Sequence, residues 1–206
     1  MSKARGFLSL RRYAYGTEVL LKTTKFRSTM TKVTLYIAAS LDGYIARSDG
    51  GIDWLSILDT EGEDYGYAAF YESIDAIVLG SNTYEIGLSF DEWPYPGKKS
   101  FVFTQRHLQS DREDVVFVSD TVKHVLANME AQGLENIWLV GGGALINSFL
   151  QHSLIDEYII STIPIILGGG IHLFPPASPE EKLELIDSKQ YPSGLLQAHY
   201  RQKGKD

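Results

Sequence analysis

Two kinds of residue in this chain have the chemistry to act on a ligand: carboxylates at the ends of apolar runs, and glycine triplets that bare the backbone. Asp42 follows the first apolar run in SLDGYIA (40–46), and Asp64 opens the aromatic segment DYGYAAFYES (64–73). A carboxyl group in either place can orient a polar ligand or move a proton. Each also has a plainer use. Asp42, directly before Gly43, can set a turn, and Asp64 stands where a helix favours an acid.

The first triplet lies in WLVGGGALINSFL (138–150), an apolar run followed by glycines and then a helical pattern. Strand, glycine-rich turn and helix together aim unpaired backbone N–H groups at an anion. Glycine also lets a phosphate approach without a Cβ in the way. The dinucleotide fingerprint G-x-G-x-x-G is not met, because Ile146 stands where its last glycine would be. Two readings therefore stand for this motif alone, a tight connecting turn and a phosphate cradle. The second triplet, LGGGIHLF (167–174), follows Pro164 and has no helix after it. Without a helix N-terminus there is no macrodipole to favour an anion, and the reading is a structural turn.

Other chemistries are poorly served. The chain has no cysteine, which excludes disulfides, thiolate metal sites and cysteine nucleophiles. Its five histidines are scattered and no HExxH occurs, so no metal is expected. There is no G-x-S-x-G elbow for acyl transfer. Gly97-Lys98-Lys99-Ser100 lacks the upstream glycine of a P-loop and reads as a solvated turn.

The elements that must position these residues alternate. Strands are expected at 33–39, 75–80, 100–104, 115–119, 136–141 and 156–166. Helices are expected over 64–73, from Ser81, after a cap at Asp120, and from Gly143. Segments near 182–188 and 194–202 read as a closing antiparallel pair. Residues 40–55 form a long Gly/Asp-punctuated loop holding Asp42, Tyr44, Asp49, Asp53 and Trp54; loops of that length are usually functional or disordered, and Ile45, Ile52 and Trp54 argue against plain disorder. The alternation predicts an α/β class with a mostly parallel sheet.

The 206 residues suffice for one sizeable core. Residues 1–30 carry seven Lys and Arg against one acid, a basic leader of +6, and with a total of −7 the remaining 176 residues carry −13. A body so acidic is a poor nucleic-acid binder. No apolar run is long enough for a membrane span, and a cytoplasmic protein is expected. The leader has a transit-peptide flavour; its plainer reading is a disordered extension or an upstream start, with residues 31–206 the single domain.

The ordered motifs SLDGYIA, VLGSNTYE, FVFTQR, IWLVGGGALI and PIILGGGIHLF resemble the dihydrofolate reductase fold. More closely they resemble the reductase domain of bacterial riboflavin-biosynthesis proteins, the RibD C-terminal branch. The resemblance spans about residues 32–202 and implies a three-layer α/β/α fold with antiparallel C-terminal strands. It implies a homodimer and an NADPH-dependent reductase.

Residue by residue, Gly141, Gly142, Gly143, Ala144 and Leu145 match the turn that holds the cofactor pyrophosphate. Gly80, Ser81, Asn82 and Thr83 match a second turn on the same phosphates, with Ser81 where the family usually has arginine. Thr104, Gln105 and Arg106 match the strand end near the adenosine ribose, and Arg106 is the expected selector of a 2′-phosphate. Ala39 and Ser40 would lie along the nicotinamide. Asp42 and Asp64 are the expected catalytic acids. Tyr44, Arg47 and Trp54 are the expected contacts of a small heterocyclic substrate, with Arg47, Lys98 and Lys99 as cations for a substrate phosphate.

The implied reaction opens and reduces the ribosyl ring of a phosphoribosylamino-pyrimidine. A folate-type reductase is the alternative, disfavoured because Asp53-Trp54 stands where folate enzymes have Pro-Trp. A dimeric nucleotide-binding protein with little catalysis is a third reading, favoured by Ser81.

Overall fold

The computed structural model describes residues 31–58 and 62–204; the basic leader read over residues 1–30 lies outside them. Ten strands and four α-helices follow one another in the order β1 (Lys32–Ser40), β2 (Tyr44–Ala46), α1 (Tyr67–Ser73), β3 (Ala76–Gly80), α2 (Ser81–Leu88), β4 (Lys99–Phe103), β5 (Val115–Val118), α3 (Val122–Ala131), β6 (Asn136–Gly141), α4 (Gly143–Leu150), β7 (Glu157–Ile163), β8 (Ile171–His172), β9 (Leu183–Gln190) and β10 (Leu196–Gln202). A short 3-10 helix, Asp53–Leu58, precedes α1.

Eight strands form one sheet in the order β5-β4-β3-β6-β1-β7-β10-β9. The pairs from β5 through β7 are parallel, while β10 is antiparallel to both β7 and β9. Parallel strands covered on both faces favour near-continuous apolar runs, which is why AIVLG is wholly apolar and VTLYIAA and NIWLVG carry only Thr34 and Asn136 as polar positions near their starts.

The alternation of side chains divides those runs between two layers. Leu35, Val78 and Leu139 face one core with Val125 and Met129 of α3 and Ile146 and Phe149 of α4. Ile77, Leu79 and Trp138 face the other, with Tyr84 of α2 and Phe70 and Tyr71 of α1. Helices on both faces of the sheet give the expected α/β/α sandwich.

Two local expectations are corrected. The 40–55 loop contains β2, which pairs antiparallel with β8 from the second glycine triplet. The cap of α3 is Thr121, whose side chain accepts the His124 N–H; Asp120 sits one residue earlier and accepts the Thr121 N–H at 2.6 Å. The triplet LGGG is a structural turn. A Cβ on Gly170, at φ +147°, would stand 2.1 Å from the Ala46 carbonyl oxygen. Only glycine permits that approach.

Candidate active site

Strand order places a crevice between β3 and β6. They are neighbours, but their outgoing connections diverge: α2 leads outward to β4 over one face, and α4 leads toward β7 over the other. Such a reversal opens the carboxyl ends of the two strands to a ligand. The glycine turns meet there. A Cβ on Gly80 would lie 3.8 Å from both Gly141 O and Gly142 N, and one on Gly142 would lie 3.5 Å from Thr83 Oγ1. The Gly141–Gly142 peptide bond is cis, and Gly141 adopts φ +122°, a region that favours glycine.

Both helices open without a side-chain cap, at Gly80 for α2 and Gly142 for α4. Their first amides are thus available to an anion, with two macrodipoles pointing at one place. Gly143 cannot carry a side chain, because its Cβ would come 2.8 Å from the His172 carbonyl oxygen of β8. The second triplet's strand therefore buttresses the first triplet's turn.

Around these turns lies a cleft of about 1240 Å³. Gly80, Ser81, Asn82, Thr83, Thr104, Gln105, Gly142, Gly143, Ala144 and Leu145 all line it, so three distant segments converge. Its other walls are the β2 loop (Ile45, Ala46, Asp49) and the α2–β4 connection (Phe90, Tyr95). Burial pushes the Tyr95 phenol well above its ordinary pKa, so it is a neutral hydroxyl.

The remaining expected residues stand elsewhere. Ala39 is buried in the core. The Ser40 hydroxyl is buried, donating to Asp42 at 2.7 Å and accepting the Tyr44 N–H at 2.9 Å. Asp42 also accepts the Leu167 and Gly168 N–H groups at 3.0 and 2.7 Å, and the Ser40 hydroxyl bond, with these amides, holds its carboxyl below the usual range. Asp64 accepts Gly66 N–H and Ala68 N–H, which lower its pKa likewise and fasten the start of α1.

Tyr44 packs on His172 with ring centroids 4.6 Å apart. Arg47 forms a two-bond pair with Asp53 at 2.7 and 2.9 Å. Trp54 is buried against Ile163, Tyr191 and Leu195. Lys98 donates to the Ile74 carbonyl, and Lys99 to Gln132 at 2.7 Å. None of these side chains lines the cleft. Arg106 is also outside the lining; its guanidinium is engaged by Glu85 at 3.0 and 2.8 Å.

Three lining residues have no role toward a ligand expected from the sequence, although Glu85 closes the motif VLGSNTYE and Asp120 is the expected helix cap. Glu85 follows Ser81 by one helical turn and so shares its face, a spacing readable once the cleft end of α2 is fixed. Asp120 and Thr121 sit just past the end of β5, a strand-end position where ligands of parallel sheets gather. Asp49, Glu85 and Asp120 make the cleft acidic, and among the described lining residues none is Lys or Arg; His152 is the sole basic type. Among the described residues no group of three His, Asp or Glu is placed to hold a metal, and no helix is long and apolar enough to cross a membrane.

Comparison with known proteins identifies the family and the fold. The uncharacterized protein YwjB of Bacillus subtilis is 41% identical over 170 residues, covering 82% of this chain and 97% of that protein. The crystal structure of a riboflavin biosynthesis protein assigned as putative, from Shewanella sp. PV-4, superposes with a TM-score of 0.77 at 36% identity, over 84% of this chain and 99% of the other. The riboflavin biosynthesis protein RibD of Corynebacterium ammoniagenes is 27% identical over 153 residues, 68% of this chain but 44% of that longer protein. RibD of Acinetobacter baumannii, 18% identical, shares the fold with a TM-score of 0.67. The family model for the RibD C-terminal domain matches residues 31–197. This chain belongs to the RibD C-terminal domain family and has its dihydrofolate reductase-like fold.

Proposed function

We propose that the chain is an NADPH-dependent reductase of a pyrimidine- or pterin-like heterocycle, with a phosphoribosylamino-pyrimidine of riboflavin biosynthesis as the first substrate to test. The observation that carries the reading is the meeting of two uncapped helix N-termini, at Gly80 and Gly142, across a cleft of about 1240 Å³. The donor set suits a dinucleotide: backbone amides for a pyrophosphate, and an apolar floor of Ile37, Ile45 and Val140 for a flat ring.

A bound nicotinamide cofactor supplies the hydride. The chain's own part is placement. Gly142 to Leu145 and Gly80 to Thr83 hold the phosphates, Thr104 and Gln105 the ribose end, and Ala46 with Ile37 the ring. The β2 loop and the wall of Phe90 and Tyr95 exclude water from the reacting carbon. In this reading Asp42 and Ser40 fix the β2 loop that closes the cleft, and Asp64 fixes α1. Asp49, the acid of the β2 loop that lines the cleft, is the candidate to orient or protonate a substrate oxygen.

The protein also acts as a homodimer in this proposal. Support comes from β9 and β10, where Leu185 and Leu196 are 55% and 45% exposed on strands that close the sheet. The deciding experiment is an NADPH-oxidation panel over the ribosylamino-pyrimidine, dihydrofolate and dihydropterins. Turnover of the pyrimidine supports the riboflavin-type assignment, turnover of dihydrofolate alone replaces it with the folate type, and binding without any turnover leaves a nucleotide-binding protein.

A further inference from the structure

The acidic lining of the cleft bears on cofactor choice. Residues Thr104 to Arg106 continue β4 at the end of the cleft assigned above to the adenosine ribose. The Arg106 backbone is fixed there, its N–H donating to Thr104 Oγ1 at 2.9 Å. Its guanidinium, however, points its fork at Glu85 of α2, with Nη1 to Oε1 at 3.0 Å and Nη2 to Oε2 at 2.8 Å. Glu85 lines the cleft and Arg106 does not. Asp120, just past the end of the neighbouring β5, lines it too.

A 2′-phosphate arriving at this end therefore meets two carboxylates, and the nearby guanidinium already has a two-oxygen partner. An arginine fork matches a phosphate as well as a carboxylate, so the two anions compete for one cation. NADH, with a 2′-hydroxyl, takes no part in that competition. Both side chains of the pair are about half exposed, 49% for Arg106 and 45% for Glu85, so the exchange is open to solvent and its effect is modest.

We propose that Glu85 is a specificity-determining residue of this cleft: it competes with the 2′-phosphate for Arg106 and thereby narrows the preference for NADPH over NADH. The inference rests on the dinucleotide reading given above and adds to it the residue that sets the discrimination.

The test is a double-mutant cycle on dissociation constants, read by fluorescence titration of the full-length protein with NADPH and with NADH. The forms compared are wild type, Glu85→Gln, Arg106→Ala and the double variant. Glu85→Gln is expected to tighten NADPH by roughly fivefold while moving NADH by less than about twofold. In the Arg106→Ala background the same substitution is expected to lose most of that gain, since the cation competed for is gone.

Equal tightening of both cofactors by Glu85→Gln would overturn the proposal, and so would an undiminished gain without Arg106. Weaker NADPH binding by Glu85→Gln would overturn it as well, by showing that Glu85 presents Arg106 rather than withholds it. Wild-type protein that binds neither dinucleotide would remove the underlying reading, a result distinct from any change in the ratio. Circular dichroism melts of each variant confirm that the fold is retained.

Discussion

Asp42 accepts the backbone N–H of Gly168 at 2.7 Å, 126 residues further along the chain. That bond, with its partner to Leu167, joins the loop after β1 to the second glycine triplet. It explains why an acid and a glycine turn that look independent in sequence belong together. Asp42→Ala is expected to lower the melting temperature by about 2–4 °C. Asp42→Asn, which keeps one amide acceptor, should lose less. The folded-state pKa of Asp42 is depressed, so its contribution is present above the ordinary aspartate value and is lost as pH falls through the lowered one. Melts of wild type and Asp42→Ala should therefore converge in acid. A catalytic acid would instead show itself as a collapse of kcat with the melting temperature unchanged.

Trp54 separates a core role from a substrate role. It is 4% exposed and packs with Ile163, Tyr191 and Leu195. Trp54→Ala should cost about 3–5 kcal/mol of stability, the usual range for emptying a buried aromatic site. Trp54→Phe should cost less and leave KM for the substrate within about twofold. Denaturant unfolding and steady-state kinetics on the two variants check both expectations.

Glu157 is a 9% exposed carboxylate on β7, held by Lys32 at 2.8 Å and His199 at 2.9 Å. Burial pushes its pKa up, but the side-chain hydrogen bonds from Lys32 and His199 and the Lys32 charge outweigh it, and the net shift is downward. A depressed carboxylate stabilises the fold above its unfolded pKa, about 4.3, and loses that contribution as pH falls below it. Glu157→Gln should destabilise by about 1–2 kcal/mol near neutrality, because Lys32 is 44% exposed and can turn to solvent. The deficit should shrink as pH drops from about 5 toward 3. Unfolding titrations across that range provide the measurement.

The β9–β10 surface predicts an assembly. Leu185 and Tyr200 are paired across the two strands, with Leu196 further along β10 at 45% exposure. Sedimentation should give a dimer mass, and Leu185→Lys should shift it toward the monomer by placing a charge in the contact. A monomeric wild type would remove the homodimer.

Sequence legibility followed the physics of burial. The runs 33–39, 75–80 and 136–141 could be read because parallel strands covered on two faces leave few polar positions, here Thr34 and the leading Asp75 and Asn136. Gly141 to Leu145 and Gly80 to Thr83 could be named because strand–turn–helix is a local pattern, and the structure brings Gly142 to Leu145 and Gly80 to Thr83 to one cleft, with Gly141 just outside its lining. Less legible was whatever depended on distant pairing. The β2–β8 pair spans three and two residues, and its stability comes from contacts such as Gly170 against Ala46 rather than from propensity. Arg106 reads in sequence as a free cation because Glu85 lies 21 residues away and only the fold joins them. Asp42, Asp64 and Arg47 look alike as polar loop residues, whether they bind a ligand or fasten backbone and side chains, and in the structure all three have protein partners.

In the proposed function the facing turns at Gly80 and Gly142 bind a nicotinamide dinucleotide. Gly142 has an ordinary backbone conformation, φ −82°, and the nearest atom to an added Cβ is Thr83 Oγ1 at 3.5 Å. Gly142→Val therefore fills the space between the turns. The most direct measurement is calorimetric titration of NADPH into wild type and Gly142→Val, with circular dichroism on both. Wild type should bind saturably, and a folded Gly142→Val should lose at least tenfold in affinity. Unchanged affinity in that variant, or no binding to wild type, would contradict the proposed function.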